Sequence, residues 1–151
     1  IDLLHYFERR VEALDDAADL LAETMMTGWR RVRDLPADDE GARMWLFTIA
    51  RNVLGNADRT ERRRWRLANR LRVMLEPADT PGADAGSEVR DAVARLDPDL
   101  AELIRLVHWD GFTIAQAGSF LGIPASTART RHQRAKEELR ATLHSEELVS
   151  D

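Results

Sequence analysis

The chain has 151 residues, which suffices for one domain or two small ones, and its composition is typical of a folded protein. It contains no cysteine, which excludes disulfides, thiolate metal sites and cysteine nucleophiles, and its four histidines lack metal-ligand spacing. Leu, Ala, Arg and Glu outnumber the β-branched and aromatic residues, which predicts an all-α fold. No apolar stretch is long enough for a membrane span or an export signal, so we expect a cytoplasmic protein without membrane insertion.

The net charge of -5 conceals a strong segregation of charge along the chain. Residues 43–72 carry a balance of +7 and residues 113–143 a balance of +3, whereas the segments around them are acidic. Two basic segments in an acidic chain indicate two anion-binding surfaces, with acidic regions that face another partner. A solvated helix face would explain either segment alone equally well.

A segment without apolar periodicity, EPADTPGADAGS, divides the chain near its middle. Its prolines, glycines and acids are typical of a linker that contributes nothing to a core. We therefore predict two small helical domains joined by a flexible linker. The domains span residues 1–75 and 89–144, the linker spans residues 76–88, and a tail follows at residues 145–151.

Three helices are predicted in the N-terminal domain from the spacing of its apolar residues. The first has its apolar positions at Leu3, Leu4, Phe7, Val11 and Leu14. The second runs from about Ala17 to Arg33 behind an N-cap at Asp15 and Asp16. Its apolar stripe consists of Leu20, Leu21, Thr24, Met25, Gly28 and Trp29.

The third helix follows an acidic loop at residues 34–41 and begins near Ala42. It continues, straight or bent at Gly55, into an arginine-rich stretch that ends near Met74. Its predicted core positions are Met44, Trp45, Ile49 and Val53. Trp45 is assigned to the core, with a stacking platform for a flipped base as the alternative.

The C-terminal domain opens with apolar positions at Val89, Val93 and Leu96. Asp97 and Pro98 form an N-cap and first-turn pair that starts the next helix. That helix carries Leu100, Leu103, Ile104 and Val107, and it ends at the turn signal formed by Asp110 and Gly111.

From Thr113 onwards the sequence predicts two helices joined by a tight turn. Thr113 and Gln116 match a capping box, and Gly118 is small where the two helices would cross. Gly122 suits a left-handed turn residue, and Pro124 stands where a second helix can begin. These features together favour a helix-turn-helix over an ordinary helical hairpin.

The second helix of this pair has one apolar and one polar face. Its apolar positions are Ala128, His132, Ala135, Leu139 and Leu143. The opposite face is basic and polar, which suits phosphates and base edges. On that face Arg129 suits a guanine edge and Gln133 suits an adenine edge.

Residues 96–140, LDPDLAELIRLVHWDGFTIAQAGSFLGIPASTARTRHQRAKEELR, resemble the fourth conserved region of extracytoplasmic-function (ECF) RNA polymerase sigma factors, group 4 of the sigma-70 family. Residues 16–29 (DAADLLAETMMTGW) resemble the polymerase-docking helix of the second region, and residues 44–52 (MWLFTIARN) resemble its promoter-melting helix. The matches lie in the family's order and cover most of the chain outside the linker. Ala117, Ala128 and His132 depart from the family pattern, which puts promoter preference and core tightness in doubt rather than the assignment.

The resemblance implies a transcription initiation factor that binds core RNA polymerase and directs it to promoters. The N-terminal domain would recognise and melt the minus-ten element, with the loop at residues 34–41 as its specificity loop. The C-terminal helix-turn-helix would read the minus-thirty-five element. The expected partners are the coiled coil of the largest polymerase subunit, promoter DNA and an anti-sigma factor. No catalysis, cofactor, metal or small-molecule substrate is expected.

Three sets of site residues are predicted from this resemblance and from side-chain chemistry. The polymerase-docking set is Asp16, Asp19, Leu20, Glu23 and Met26. The minus-ten and melting set is Arg43, Arg51, Asn52, Asn56, Arg59, Arg62 and Arg63. The minus-thirty-five set on the recognition helix is Ser126, Thr127, Arg129, Thr130, Arg131, Gln133, Arg134 and Lys136.

Two alternatives stay open on the residues alone. A helix-turn-helix regulator that binds operators without joining polymerase would explain residues 97–143 but not the N-terminal domain. An RNA-binding or scaffold protein would use the arginine-rich residues 59–72 and show no promoter preference. An enzyme is disfavoured, because no nucleophile–base set, metal spacing or phosphate loop stands out.

Overall fold

The computed structural model describes residues 2–72 and 87–149, with side chains for residues 2–61, 64 and 88–145. Within these residues the chain is helical and has no strand, which confirms the all-α prediction. The chain divides into two compact units, Ile1–Asp79 and Thr80–Asp151. The predicted linker at residues 76–88 lies mostly outside the described residues, so its boundaries stay a prediction. No described helix combines the length and the apolar character needed to cross a membrane.

The N-terminal unit contains helices α1 (Asp2–Glu8), α2 (Leu14–Arg30) and α3 (Asp39–Arg72), with a short 3-10 turn at Val32–Asp34. Its core is built on aromatic rings, since Tyr6, Phe7 and Phe47 are all at most 1% exposed. The Tyr6 ring lies edge-on to both phenylalanines, with centroids 5.3 Å from Phe7 and 5.4 Å from Phe47. Edge-to-face pairs of this kind stabilise a core beyond the area that they bury.

The predicted extents of the first two helices were wrong. α1 ends at Glu8, so Val11 lies in the connection and Leu14, which is 72% exposed, starts α2. The N-cap of α2 is Ala13 without a side-chain hydrogen bond, and Asp15 and Asp16 lie in the first turn. Carboxylates at that place stabilise the helix through its dipole instead of by capping.

α2 packs on α3 through small residues. The buried positions of α2 are Ala17, Leu20, Thr24 and Gly28. The Thr24 hydroxyl donates to the Leu20 carbonyl at 2.7 Å, so this buried polar group is satisfied within the helix. A Cβ at Gly28 would lie 3.4 Å from Leu46 and 3.7 Å from the Trp45 ring. The ring of Trp45 is therefore packed against α2, but Met44 and Trp45, both predicted for the core, are only half-buried.

α3 is one helix of 34 residues. The Asp38 carboxylate accepts from the Gly41 amide at 2.6 Å, which caps a start three residues earlier than predicted. Ile49 and Val53 are buried as expected, together with Phe47 and Ala50, which the sequence analysis had not assigned. The helix runs without interruption past Gly55.

The C-terminal unit contains α4 (Ser87–Arg95), α5 (Pro98–His108), α6 (Ile114–Leu121) and α7 (Ala125–Val149). One buried cluster joins α4, α5 and α7, and it comprises Val93, Leu96, Leu100, Ala101, Ile104 and Ala135. Val89, predicted to be apolar and inward, is 44% exposed. α7 extends to Val149, beyond residue 144, where the domain was predicted to end.

The start signals predicted for α5 and α6 are both confirmed. Asp97 accepts from the Asp99 amide at 3.2 Å, and Pro98 occupies the first turn of α5. At α6 the Gln116 amide donates to the Thr113 hydroxyl at 3.1 Å, while the Thr113 amide donates to the Gln116 side chain at 2.9 Å. This reciprocal pair is the capping box that the sequence predicts.

Two glycines fix the turn between α6 and α7. Gly122 has a φ of 72°, the left-handed conformation that a residue with a Cβ rarely adopts. A Cβ at Gly118 would lie 3.1 Å from the Ala128 Cβ and 3.2 Å from the Ile123 carbonyl oxygen, so the helices cross where no side chain intervenes. The helix-turn-helix geometry therefore follows directly from the sequence.

Candidate protein and nucleic-acid interfaces

The first half of α2 presents an acidic surface. Asp16, Asp19 and Glu23 are exposed, and none of them forms an ion pair or hydrogen bond within the described part of the chain. Since an unpaired carboxylate gains nothing from its own fold beyond the helix dipole, these three charges are available to a partner.

A cleft of about 340 Å³ lies beside this surface, between the α1–α2 connection, α2 and α3. Asp16, Asp19 and Glu61 contribute carboxylates to its lining, and Leu20 and Leu54 contribute apolar groups. Leu20 is only 7% exposed and belongs to the core, as its place in the apolar stripe of α2 predicts, so within the docking set it lines the cleft and does not lie at the surface. Among the predicted docking residues, the acids and Met26 lie at the surface.

The second half of α2 presents an apolar surface, which includes Met25 and Trp29 of the stripe that was predicted to face inward. Met25 is 52% exposed, Met26 is 55% exposed and Trp29 is 78% exposed. Val32, in the turn that follows, is 48% exposed. Exposed apolar residues that adjoin each other mark interaction surfaces more often than isolated ones do. Periodicity placed Met25 and Trp29 in one stripe with Leu20, Thr24 and Gly28, but only the last three are buried in the structure.

The predicted minus-ten residues on α3 differ in how free their side chains are. The Arg43 guanidinium is half-buried and lies 4.9 Å from the Phe47 ring centre, so it is partly held by packing. Asn52 and Asn56 are exposed, and their amides form no hydrogen bond within the described residues. Arg51 and Arg59 are exposed, and the Arg59 Nε donates to the Gly55 carbonyl at 3.2 Å. The side chains of Arg62 and Arg63 lie outside those described.

On α7 the buried and exposed faces are divided as predicted. Ala128, His132 and Ala135 are all at most 7% exposed. The opposite face has five exposed or half-buried positions from the predicted set, namely Ser126, Thr127, Arg129, Thr130 and Gln133. Lys136, which was predicted for this face, is half-buried and lies at its side, one turn after His132. Arg131, half-buried, and Arg134, exposed, lie at the sides of this face. All eight predicted residues therefore share one continuous outer surface of the helix.

The side chains of this outer surface are held to different degrees. Arg129 and Arg131 form no ion pair or hydrogen bond within the described residues. Further along the helix, the Arg134 Nε donates to Glu138 at 2.9 Å and the Gln133 amide donates to Glu137 at 3.0 Å. The first turns thus carry free cations, whereas the following turn carries polar groups that are tied to glutamates.

Comparison with protein-family models identifies both halves of the chain. Residues 2–64 match the model of sigma-70 region 2, and residues 87–139 match the model of sigma-70 region 4. The all-α fold and these two regions define a sigma factor of the sigma-70 class.

Similar proteins narrow this class further. The chain is 30% identical over 136 residues to the ECF RNA polymerase sigma factor SigL of Mycobacterium tuberculosis, covering 84% of this chain and 74% of SigL. It is 30% identical over 135 residues to the ECF sigma factor EcfG of Rhodopseudomonas palustris, covering 86% and 72%. The chain belongs to the family of ECF RNA polymerase sigma factors.

A solved structure is similar over most of the chain. The sigma factor RpoE of Bartonella quintana, crystallised with the anti-sigma factor NepR, matches with a TM-score of 0.73 at 26% identity, covering 94% of this chain and 89% of RpoE.

Proposed function

We propose that the chain joins core RNA polymerase and directs it to promoters without catalysing a reaction itself. The observation that carries this proposal is the presence, in one chain, of an unpaired acidic and apolar surface on α2 and of free cations on the outer face of α7. The first surface suits a protein partner and the second suits DNA. A sigma factor needs both, and it works in the cytoplasm, where polymerase and promoters are found.

The docking surface on α2 suits a basic, partly apolar helical partner such as the coiled coil of the largest polymerase subunit. Asp16, Asp19 and Glu23 provide charge complementarity, which speeds association and fixes orientation. Met25, Met26 and Trp29 would become buried when the partner binds, as the anchor residues that dominate affinity in protein interfaces do. The cleft beside Asp16 and Asp19 is lined by apolar side chains, by five carboxylates and by Arg10, so its net charge is negative. Such a cleft accepts the stem and head of an arginine side chain.

The exposed side of α3 suits single-stranded promoter DNA at the minus-ten element. Arg51 and Arg59 bind phosphates without regard to sequence, and their role is to hold the strand. Asn52 and Asn56 lie four residues apart on one helix face with free amides, so they can read the edge of an unstacked base. The loop before α3, which ends at Asp38, would bind such a base.

The outer face of α7 suits the major groove of the duplex minus-thirty-five element. α6 would cross the DNA backbone and the first turns of α7 would contact base edges, as helix-turn-helix proteins do. Arg129 has the free guanidinium that a bidentate guanine contact requires. Lys136 and Arg134, at the sides of this face, would contact phosphates.

An anti-sigma factor is the third partner in this proposal. RpoE of Bartonella quintana was crystallised with one, and it shares the fold of this chain. Here the apolar surface around Trp29 would lie in water whenever polymerase is absent. A regulator that covers it would stabilise the free chain and block docking at the same time.

Reconstituted transcription tests the proposal. The chain is mixed with bacterial core RNA polymerase and fragments of genomic DNA, and run-off transcripts are sequenced. We expect transcripts from a defined set of starts that appear only when the chain is present. Duplex DNA binding without polymerase binding would instead identify an operator-binding regulator. Retention of structured RNA without promoter preference would identify an RNA-binding protein.

A further inference from the structure

A glutamate lies at the C-terminal end of the proposed DNA-reading face. Ser126, Thr130, Gln133 and Glu137 follow each other at spacings of four, three and four residues, which places them in one row along α7. This row lies opposite the buried positions Ala128 and Ala135. A carboxylate in such a row repels phosphates, so its presence calls for a specific role.

The role is visible in its contact with Gln133. The Gln133 Nε2 donates a hydrogen bond to the Glu137 Oε1 at 3.0 Å, and both side chains are exposed. An ionised carboxylate accepts hydrogen bonds but cannot donate one. Glu137 can therefore bind the NH₂ side of the Gln133 amide but not its oxygen, so it selects one of the two amide orientations that are otherwise nearly equivalent.

We propose that Glu137 is a positioning residue that fixes the amide of Gln133 so that it reads adenine and rejects guanine. The inference rests on the proposed function, since it assigns base specificity to the recognition helix of that function.

The chemistry of the base edges gives the direction of the preference. With one N–H bound to Glu137, Gln133 presents its Oε1 as an acceptor and its second N–H as a donor. Adenine offers the complementary pair, the N6 donor and the N7 acceptor, in the major groove. Guanine offers two acceptors, N7 and O6, and one of them would face the fixed amide oxygen. Two acceptors in contact cannot bind each other, and both lose the hydrogen bonds that they made with water. Guanine would therefore bind less tightly than adenine opposite Gln133.

The neighbouring residue provides a matched control. Glu138 carries the same charge one position further along α7, and it accepts from the Arg134 Nε at 2.9 Å instead of from an amide. Glu137→Gln and Glu138→Gln each remove one negative charge from adjacent exposed or half-buried positions, and both keep the size of the side chain. Only Glu137→Gln replaces the acceptor beside Gln133 with a group that both accepts and donates hydrogen bonds. Only this substitution therefore permits both orientations of the Gln133 amide.

The test is a selection with the complete chain bound to core RNA polymerase. Promoter duplexes with a randomised minus-thirty-five region are bound by the wild-type assembly and by each variant, and the retained DNA is sequenced. We expect the wild type to prefer adenine over guanine at one base pair by roughly tenfold. Gln133→Ala should abolish this preference, and Glu137→Gln should admit guanine at the same base pair. Glu138→Gln should keep the preference for adenine.

Three results would overturn the inference. The first is that Glu137→Gln keeps the wild-type discrimination between adenine and guanine. The second is that Glu138→Gln loses this discrimination to the same extent as Glu137→Gln. The third is that the affected base is a cytosine that Glu137 contacts directly. A wild-type assembly that transcribes from defined starts but lacks the adenine preference contradicts the inference alone. An assembly that selects no sequence contradicts the proposed function as well.

Discussion

The Nε2 atom of His108 lies 3.0 Å from the Nε2 atom of His132, so one hydrogen bond joins α5 to the recognition helix α7. The ring planes differ by 15° and the ring centres lie 5.2 Å apart, a separation that brings the nitrogens into contact instead of the ring faces. One ring donates its Nε2–H and the other accepts with a deprotonated Nε2. The pair therefore tolerates one positive charge but not two.

This pair predicts that the C-terminal unit loses stability in mild acid. Burial, followed by the charges of His108 and Lys136, lowers the pKa of His132 below the ordinary value of 6.5. The unfolded chain then binds more protons than the folded chain as the pH falls through 6.5, and stability decreases with it. The melting temperature of the chain, measured between about pH 5.5 and pH 8, reports this loss of stability. That range extends about one to two units to either side of the ordinary pKa of histidine.

His132→Leu removes the titrating group and keeps an apolar side chain of similar size against the core. Its melting temperature should depend less on pH than that of the wild type, whereas His5→Leu, in the N-terminal unit, should leave the dependence of the C-terminal unit unchanged. An identical pH profile for the wild type and His132→Leu would show that the histidine pair has no part in it.

Trp29 should be an anchor for polymerase binding. Because its side chain is 78% exposed, Trp29→Ala should change the free energy of unfolding little. Its removal from a protein interface should weaken binding by about 2 kcal/mol, or roughly 30-fold. Leu14→Ala is the control, since Leu14 is 72% exposed at the other end of α2. Affinities of both variants for core polymerase, measured by fluorescence titration, should differ; equal affinities would remove Trp29 from the docking surface.

Arg129 should serve duplex recognition and not polymerase binding. Arg129→Ala should weaken binding to the selected minus-thirty-five duplex by about 1–3 kcal/mol and relax the preference at one base pair. Arg140→Ala removes an exposed charge further along α7 and should lower affinity less. Binding to core polymerase and to duplex DNA is measured separately for each variant. If Arg129→Ala weakens both equally, the proposed division of labour between the two units is wrong.

Two glycine substitutions should have opposite effects on stability. Gly55 lies within α3, and the nearest atom to an added Cβ is Arg59 Nη2 at 4.0 Å, so Gly55→Ala should stabilise the N-terminal unit by about 0.5–1 kcal/mol. Gly118→Ala would press on Ala128 and on the Ile123 carbonyl, and we expect a loss of roughly 1–3 kcal/mol in the C-terminal unit. Hydrogen exchange of backbone amides measures each unit separately. Equal effects of the two substitutions would contradict the close crossing at Gly118.

The helix-turn-helix could be predicted almost completely from the sequence because its signals are local. Asp97, Thr113, Gln116 and Gly122 each act within a few residues, through caps and a left-handed turn, and all four behave as predicted. The inner face of α2 could not be predicted in the same way. It depends on how closely α3 approaches. Leu20, Thr24 and Gly28 of the predicted stripe are buried, but Ala17 is buried as well, and Met25 and Trp29 are exposed. Apolar periodicity reports the hydrophobicity of a face but not the space available beside it.

The candidate site likewise has features that the local sequence determines and features that depend on packing and side-chain rotamers. Which residues of α7 point outward follows from helical spacing, so the set around Arg129 could be named in advance. That Gln133 and Arg134 are each held by a glutamate one turn later depends on side-chain rotamers, which spacing alone does not determine. Leu20 is predicted both in the apolar stripe of α2 and in the docking set, and only its exposure of 7% in the structure decides between the two.

The absence of a side chain at Gly118 has an evolutionary consequence. The orientation of α7 relative to α6 depends on a position that supplies no group to any ligand. Relatives could therefore acquire different promoter repertoires through a change at this crossing while every base-contacting residue is inherited intact. Comparisons of recognition-helix residues alone would then misjudge which regulons two such paralogues share.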